Sequence, residues 1–213
     1  TGLAMAEGFR NQGYDTLLMV ESRLARTKGI IPYLRSRAVV TPEAAITTFY
    51  WGAQPVGLNG DAFDFLDAVI AMSGHRAKQA LYPAIDPQRS RSVLLGDNLL
   101  EAAHRETVER VRHTLGQYYN RNLQSAFRKG RLVEGLVDEK PVRNLALCAR
   151  RLDLFLTQPY HGTELWMGKP GETVALRDAL EGCRQILDGR HDNVSESAFH
   201  LIGSIDQVEL LSG

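Results

Sequence analysis

Two large aromatic side chains stand close together in a stretch punctuated by proline and glycine, where they could form a ligand site. Tyr160 follows Pro159, and Trp166 precedes the turn signals Gly168 and Pro170-Gly171. Because the residue before a proline is pushed out of the α region, Pro159 should end the preceding helix and leave both aromatics in an irregular segment. They either wall a flat apolar cleft or plug the core beneath the loop, as most buried aromatics do.

One acid ends an apolar run and could hold a metal ion. The run Asp-Thr-Leu-Leu-Met-Val-Glu over residues 15–21 predicts a buried parallel strand, because it is continuous rather than alternating. A carboxylate at the carboxyl end of such a strand, here Glu21, can ligate Mg²⁺ directly or through a water molecule. The alternative is a solvated acid that only ends the strand.

A phosphate-binding glycine loop would be needed to turn such residues into a nucleotide-hydrolysing site. Its pattern is Gly-x-x-x-x-Gly-Lys-Ser/Thr after a strand. The nearest stretch runs from Gly162 to Lys169, but it has one residue too many between its glycines and Pro170 in place of the hydroxyl residue. No strand is predicted before it. We therefore expect no phosphate loop in this sequence and no hydrolysis by this chain alone.

The composition excludes several function classes. The 213 residues include 25 Lys and Arg against 25 Asp and Glu, so no global field favours nucleic acid or an anionic membrane. No apolar run reaches membrane-spanning length, and no signal peptide is visible. Cys148 and Cys183 fall in helical patterns without a disulfide framework, which favours a reducing compartment. Because the chain opens at Thr1 rather than Met, we expect a fragment or a processed chain.

The elements that position these residues alternate between helix and strand at first and are helical afterwards. Apolar periodicity predicts helices over residues 1–12, 63–80, 98–126, from 142 to the stretch before Pro159, and 174–187, with two short helices at the end. Continuous apolar or β-branched runs predict strands over residues 15–21 and 45–51. The pattern indicates an α/β part followed by an all-α part.

Five stretches carry an ordered set of motifs: Thr1–Arg10, Leu81–Pro87, Leu154–Tyr160, Glu164–Gly168 and Gly182–Gly189. In this order they resemble the second half of the rotary ATP synthase beta subunit family, after its phosphate loop. The family patterns there include Arg-Phe-Leu-Ser-Gln-Pro-Phe, Glu-Val-Phe-Thr-Gly and Gly-Phe-x-x-Ile-Leu-x-Gly. The resemblance covers nearly the whole chain and is poor over residues 27–60 and 125–145.

The resemblance implies a fold class and two domains. Residues 1–93 would form the later part of a P-loop ATPase (RecA-like) α/β nucleotide-binding domain that lacks the phosphate loop. Residues 94–213 would form an all-α C-terminal helical domain that closes the adenine side.

The resemblance also implies a nucleotide-binding set of aromatics. Tyr82 would stack on the adenine base, which asks only for a flat aromatic face, and Tyr160 and Trp166 would complete the cleft. The alternative for Tyr82 is a core tyrosine in the turn before Pro83.

On the phosphate side the resemblance is weaker. Glu21 stands where the family has the aspartate of its Mg²⁺ site, and the added methylene would change the metal–carboxylate distance. The family pattern Leu-x-Ser-x-Ser-Arg places an arginine where this chain has Val93. Arg89 or Arg91 could take over a phosphate contact, and no catalytic residue is assigned.

Two functional hypotheses follow. In the first, the chain is the carboxyl half of a beta-type subunit and contributes the adenine pocket and the Mg²⁺-side acid to ATP synthesis or hydrolysis coupled to proton transport. In the second, it is a non-catalytic structural or regulatory paralogue, a pseudoenzyme. The short 27–60 segment and Val93 favour the second, whereas the three aromatics favour the first. An unrelated helical binding module would leave the ordered motifs unexplained.

The family resemblance also implies the partners. ATP or ADP with Mg²⁺ would be the ligands, bound weakly or not at all by this chain alone. Other ATP synthase-type subunits would surround it in a hexameric ring, with an alpha-like neighbour and a rotor shaft. The assembly would lie in the cytoplasm or an organelle matrix, peripheral to a membrane, with no direct insertion into it. Strands without their sheet neighbours also predict aggregation or a tight partner.

Overall fold

The computed structural model describes residues 2–21, 27, 29–38, 40–51, 66–96, 100–120, 140–162 and 164–208. The side chains of Asn120, Trp166 and Met167 lie outside this description. By their contacts the residues form two compact units, Thr1–Asp67 and Ala68–Gly213. This contact-based boundary lies before the domain boundary expected at residue 93. The expected boundary refers to the domains of the related family, and it stays a prediction.

The first unit alternates between helices and strands, and its second helix is not among the elements predicted from the sequence. Helix α1 spans Gly2–Arg10, strand β1 Thr16–Glu21, helix α2 Ile30–Arg37 and strand β2 Ile46–Trp51. After α1 the chain turns at Gly13, which has a φ of 87°. Glycine adopts this left-handed conformation without steric cost because it has no Cβ atom. β1 and β2 pair in parallel along their whole length, which confirms the predicted parallel pairing.

Only one face of this two-stranded sheet is covered by the described residues. Helix α1 packs on it, over the buried side chains of Val20 and Ile46. The other face carries four apolar side chains that are between 48% and 60% exposed: Leu17, Met19, Phe49 and Trp51. We call these four residues the open sheet face. The expectation that β1 is buried on both sides was therefore wrong, because one face of the strand is exposed in the described part of the chain.

The second unit begins with short elements. Strand β3 (Ala68–Val69) pairs antiparallel with β4 (Arg91–Ser92), and helix α3 (Gly74–Lys78) lies between them. The helix predicted over residues 63–80 is thus wrong for 66–73, and its first residues lie outside the described ranges. Pairing with β4 outweighs the apolar periodicity, and α3 begins only after Ser73, whose hydroxyl accepts a hydrogen bond from the Arg76 amide.

The other described elements of this unit are helices. Helix α4 spans Ala102–Asn120, α5 Lys140–Phe155, α6 Glu164–Met167 and α7 Leu176–Leu187. Single 3₁₀ turns lie at Val93–Leu95 and Glu196–Phe199. The long helix expected over 98–126 starts four residues later, and residues 121–126 lie outside the description. No described helix is long and apolar enough to span a membrane.

Helices α4, α5 and α7 share one hydrophobic core. Its fully inaccessible side chains are Leu115, Ala146, Ala149, Leu152, Phe199 and Val208. Leu152, Phe155 and Leu156, which recur at i, i+3 and i+4, share the face of α5 that meets this core: the first two are buried and Leu156 packs against the same cluster. Helix α7 approaches α5 closely at Gly182, where a Cβ atom would lie 2.2 Å from the Phe155 ring.

Candidate functional site

Tyr82 lies just after α3, in a turn that is fixed at several points. Its side chain is partly buried, and its hydroxyl donates a 3.2 Å hydrogen bond to the carbonyl oxygen of Ala77. The peptide bond between Tyr82 and Pro83 is cis. Ala80, two residues earlier, adopts a left-handed conformation with φ of 57°, which is costly for a residue with a Cβ atom. The backbone around Tyr82 is thus held in one unusual path.

The segment after α5 joins this turn. The backbone amide of Gln158 donates a hydrogen bond to the carbonyl oxygen of Tyr82 at 3.0 Å. Just before it, Thr157 is fully buried; its hydroxyl donates to the Leu154 carbonyl and accepts from the Leu201 amide at 3.0 Å. The structure therefore brings Tyr82 and the Gln158-Pro159-Tyr160 segment together, although they are far apart in sequence.

Tyr160 and Trp166 differ in their surroundings. Tyr160 lies in irregular backbone, as expected, and is 36% exposed, so it is not a core plug. Trp166 lies instead in the single helical turn α6, and the prediction that both aromatics occupy an irregular segment was wrong at this residue. The Trp166 side chain lies outside the description. Gly168, with φ of 63°, turns the chain back as the sequence predicts.

A second left-handed residue closes the segment from the other side. Leu201 has a φ of 55°, and its backbone amide donates the hydrogen bond to the Thr157 hydroxyl. Nε2 of His200, the residue before Leu201, lies 3.3 Å from the carbonyl oxygen of Ala80. Strained backbone of this kind is retained where the surrounding structure fixes it, and it is frequent at binding sites.

The two arginines expected on the phosphate side are exposed. Arg89 and Arg91 flank Ser90, and the backbone amide of Arg89 donates a 3.2 Å hydrogen bond to the Asp86 carboxylate. Val93, at the arginine position of the resemblance, is 46% exposed in a 3₁₀ turn. Both guanidinium groups therefore lie at the surface of the second unit.

Glu21 belongs to the first unit. It ends β1 and is exposed, and it stands opposite Trp51 in the strand register. Within the described residues, no group of three or more His, Cys, Asp or Glu side chains could hold a metal ion. A lone carboxylate suits Mg²⁺ only where phosphates and water supply most of the ligands.

Sequence inspection missed a buried polar cluster beside the joined segments. Arg76 of α3 and Asp153 of α5 are 5% and 6% exposed, and they form an ion pair through Nη1 and Oδ1. The Tyr119 hydroxyl of α4 donates to the same Asp153 oxygen at 2.8 Å. Burial and the nearby Asp153 carboxylate raise the pKa of Tyr119 far above its usual value. The one signal in the sequence was an acid next to the core residue Leu152.

A second buried arginine lies on α5, the helix that carries Asp153. Arg151 is 5% exposed, and its guanidinium donates to the Asp192 carboxylate at 3.0 Å and to the Asp192 and Val194 carbonyls. This arginine joins α5 to the loop after α7 and not to α3.

A surface pocket lies along α5 but does not contain the predicted aromatics. Its volume is about 510 Å³, and its lining comprises Arg150, Leu154, Ser195, Glu196, Ser197 and His200. The Arg150 guanidinium and the Glu196 carboxylate already pair at 2.7 Å across it. We assign no ligand to this pocket, because its charges satisfy one another.

Two curated relatives align with nearly the whole chain. The ATP synthase subunit beta 2 of Bradyrhizobium sp. is 32% identical over 238 residues, which cover 98% of this chain and 49% of the relative. The chain is a relative of the ATP synthase beta subunits. The ATP synthase subunit beta of Acaryochloris marina is 33% identical over 237 residues and covers 98% of this chain and 51% of that subunit. This beta-subunit relative thus spans about half the length of the curated proteins it matches. No protein-family model matches it.

Solved structures support the fold. An ATPase of the type III secretion system of pathogenic bacteria superposes with a TM-score of 0.56 at 20% identity, over 87% of this chain and 58% of that one. The assembled ATPase EscN of enteropathogenic E. coli gives 0.57 at 20% identity, over 87% and 48%. EscN in complex with its central stalk EscO gives 0.55 at 21% identity, over 86% and 47%. At these identities the likeness concerns the fold alone, which is the mixed helix and sheet fold of P-loop ATPases.

Proposed function

We propose that this beta-subunit relative supplies the adenine side of a nucleotide site in an ATP synthase-type assembly and does not hydrolyse ATP by itself. The hydrogen bond from the Gln158 amide to the Tyr82 carbonyl is the observation that carries the proposal. It joins the two aromatic-bearing segments of the family motifs in a chain that matches about half of a beta subunit.

The surroundings of the two tyrosines suit a stacked base. Tyr82 keeps part of its surface open while its hydroxyl is fixed to Ala77, so that the ring is held in place. Tyr160 is more exposed and lies two residues beyond the joining hydrogen bond. Stacking on one aromatic ring contributes about 1–3 kcal/mol per base, so two such rings together would favour weak adenine binding.

The metal would come with the nucleotide. Glu21 offers one exposed carboxylate at the carboxyl end of a parallel strand, and Mg²⁺ typically takes one or two carboxylates together with substrate phosphates and water. Glu21 fits that role as a single oxygen ligand. When bound, Mg²⁺ would neutralise phosphate charge; the carboxylate would orient the ion or its water.

The phosphates would find only part of a binding site. Arg89 and Arg91 are exposed cations that could meet phosphate oxygens, but the backbone cradle of a phosphate loop is missing from the sequence. A second segment or chain would supply that loop. The open sheet face supports this, since both faces of a parallel sheet are normally covered.

In the assembly, the chain would act as the carboxyl half of a beta-type subunit. The all-α region from residue 94 would close the adenine side, an alpha-like subunit and a rotor shaft would be its neighbours in a hexameric ring, and ATP turnover would be coupled to proton transport. The assembly would be peripheral to a membrane. Each of these features rests on the family relationship rather than on contacts within the chain.

A non-catalytic structural or regulatory paralogue is the second candidate. Val93 favours it, because an exposed valine occupies the position where the family pattern has arginine. Such a paralogue would keep the fold and the subunit contacts but bind no nucleotide.

Saturation-transfer NMR tests the proposal, because it detects weak binding. Adenosine and MgATP would be examined separately at millimolar concentration with the full chain. Saturation should reach the adenine protons of both ligands and should be lost in Tyr82→Ala and in Tyr160→Ala. Tyr33→Ala is the matched control, since Tyr33 is a 54% exposed tyrosine on α2 of the first unit. Arg89→Ala combined with Arg91→Ala should weaken the MgATP signal and leave the adenosine signal unchanged.

Two results would count against the proposal. Equal saturation in Tyr82→Ala and Tyr33→Ala would show that adenine binds elsewhere. No saturation at all would favour the paralogue. The other half of a beta subunit would then be added in trans: a scaffold would still give no saturation of the adenine protons, whereas a half-site would begin to bind the ligand.

A further inference from the structure

The ion pair between Arg76 and Asp153 links the two elements from which the adenine-side aromatics emerge. Arg76 lies on α3, and its carbonyl oxygen accepts hydrogen bonds from the Gln79 and Leu81 amides at 3.0 and 3.1 Å, which shape the turn into Tyr82. Asp153 lies two residues before the end of α5, next to the Leu154 carbonyl that accepts the Thr157 hydroxyl. Arg76 thus lies six residues before Tyr82, and Asp153 lies five residues before Gln158.

The cluster is costly to bury, so stability alone is a poor reason for it. A buried ion pair often contributes no more than apolar side chains of the same volume, because both charges lose their hydration. Here the cost is higher still, since the Nε of Arg76 is buried and no described residue accepts a hydrogen bond from it. A group of this kind is expected where a fixed geometry is needed more than stability.

The contacts give the cluster a definite geometry. Nη1 of Arg76 meets both the Asp153 carboxylate and the Tyr119 hydroxyl, the latter at 3.1 Å, while Nη2 lies 3.5 Å from the Asp153 carbonyl. Tyr119 in turn donates to Asp153 at 2.8 Å. Three helices, α3, α4 and α5, therefore meet at one carboxylate.

We propose that Arg76 and Asp153 are positioning residues that hold the Tyr82 turn against the Gln158–Tyr160 segment in the spacing that adenine requires. They do not touch the ligand. The adenine part of this inference rests on the proposed function, whereas the positioning part concerns the geometry of the chain itself and can be tested without any ligand.

The same helix provides a matched control. Arg151 is as buried as Arg76, and among the described residues its buried Nε likewise has no hydrogen-bond partner. Its aspartate partner, Asp192, is more exposed than Asp153. Arg151 fastens α5 to the loop after α7 instead of to α3. Losing its partner should destabilise the unit without moving the Tyr82 turn.

Fluorine NMR of the full chain labelled with 3-fluorotyrosine gives the ligand-free test. The resonances are assigned with Tyr82→Phe and Tyr160→Phe. We expect Asp153→Asn, which keeps the shape but removes the charge, to move the Tyr82 and Tyr160 resonances by more than a linewidth. Asp192→Asn should move neither, and Asp153→Glu, which restores the charge, should return them part of the way.

Tyr119→Phe is the second variant, in case Asp153→Asn does not fold. It removes one hydrogen bond to Asp153 and one from Arg76 but leaves the ion pair, so a smaller movement of the same two resonances is expected. Unmoved resonances in a folded Asp153→Asn or Tyr119→Phe variant, or equal movement in Asp192→Asn, would overturn the proposal.

The ligand arm separates this inference from the function. If the two resonances move in Asp153→Asn and adenosine receives no saturation even in the unaltered chain, the positioning role stands and the adenine function fails. If adenosine binds the unaltered chain and the Asp153→Asn variant equally well, with unmoved resonances, the function stands and the positioning role fails.

Discussion

The backbone amide of Gln158 and the carbonyl oxygen of Tyr82 form a 3.0 Å hydrogen bond that joins the end of one motif to the start of another. Both groups belong to the main chain, so side-chain substitution at either residue leaves the bond itself possible. What holds the two segments at this distance is therefore the packing on either side. Thr157, the residue before Gln158, and the Arg76–Asp153 pair, which links α3 to α5, are the polar contacts that adjoin these two segments.

Replacing Thr157 with valine should loosen the loop that carries Leu201. Valine keeps the shape of threonine in this fully buried position but cannot accept the 3.0 Å hydrogen bond from the Leu201 amide. Leaving that amide unpaired should cost about 1–3 kcal/mol. Urea unfolding gives the free energy, and amide hydrogen exchange gives the local effect: Leu201 should lose protection. Thr157→Ser keeps the hydroxyl and should keep the protection. A protected Leu201 amide in Thr157→Val would contradict the prediction.

Helical spacing could be predicted from the sequence, whereas pairing between distant residues could not. The helices around the core could be predicted, because Leu152 and Phe155 recur at helical spacing and the packing of α5 follows from that spacing. The helix predicted over 63–80 failed because a two-residue strand pairing at Ala68–Val69, formed with distant Arg91–Ser92, outweighed local periodicity.

The candidate site divides in the same way. Family motifs indicated Tyr82 and Tyr160, and the structure joins their segments. The cluster at Asp153 remained hidden, since a charged residue on an apolar helix face looks like an interruption until its partners on two other helices are known. Whether these aromatics bind adenine stays a prediction.

The close approach of α5 and α7 gives a prediction about stability. An alanine Cβ at position 182 would lie 2.2 Å from the Phe155 ring, so Gly182→Ala should destabilise the unit by about 1–3 kcal/mol through overpacking. Gly116→Ala in α4 is the control: its Cβ would approach Gln88 no closer than 3.4 Å, and alanine should stabilise the helix by about 1 kcal/mol. Urea midpoints should move in opposite directions.

A shorter side chain at position 155 should relieve the clash. Phe155→Leu added to Gly182→Ala should recover part of the loss, and the double-mutant cycle should show coupling between the two positions. Strictly additive effects would mean that the helices separate instead of meeting at this glycine.

The open sheet face should make the isolated chain self-associate. Met19 and Phe49 are 59% and 48% exposed and stand opposite each other in the register of β1 and β2. Changing them to an opposite-charge pair, Met19→Glu with Phe49→Lys, should suppress association while keeping the cross-strand contact favourable. Sedimentation velocity over a concentration series measures the effect.

A matched surface change tests whether this face is responsible. Leu165 is 97% exposed on α6 of the other unit, so Leu165→Lys adds a charge while every residue of the sheet is unchanged. It should leave association unchanged. A monodisperse monomer of the unaltered chain at high concentration would contradict the prediction that the face requires a partner.

Stability should fall at alkaline pH because of the buried thiols. Burial raises the pKa of Cys183 to about 12 from an ordinary value of 9.0, and burial together with the Asp192 carboxylate raises the pKa of Cys148 to about 11. Above the ordinary pKa the unfolded chain releases protons that the folded chain retains. The unfolded state then binds fewer protons, so the free energy of unfolding decreases with pH, by at most about 1.4 kcal/mol per pH unit for each thiol.

The alkaline slope can be assigned to Cys183 by difference, which removes the contribution of the lysines and tyrosines that titrate in the same range. Cys183→Ala loses packing and should be less stable than the unaltered chain at neutral pH. This difference in the free energy of unfolding should shrink as the pH rises through about 9 to 10.5, because the variant lacks the buried thiol that stays protonated in the folded chain and ionises in the unfolded one. Urea midpoints at successive pH values measure this. A constant difference over the range would show that the Cys183 thiol ionises as readily in the folded chain as in the unfolded one.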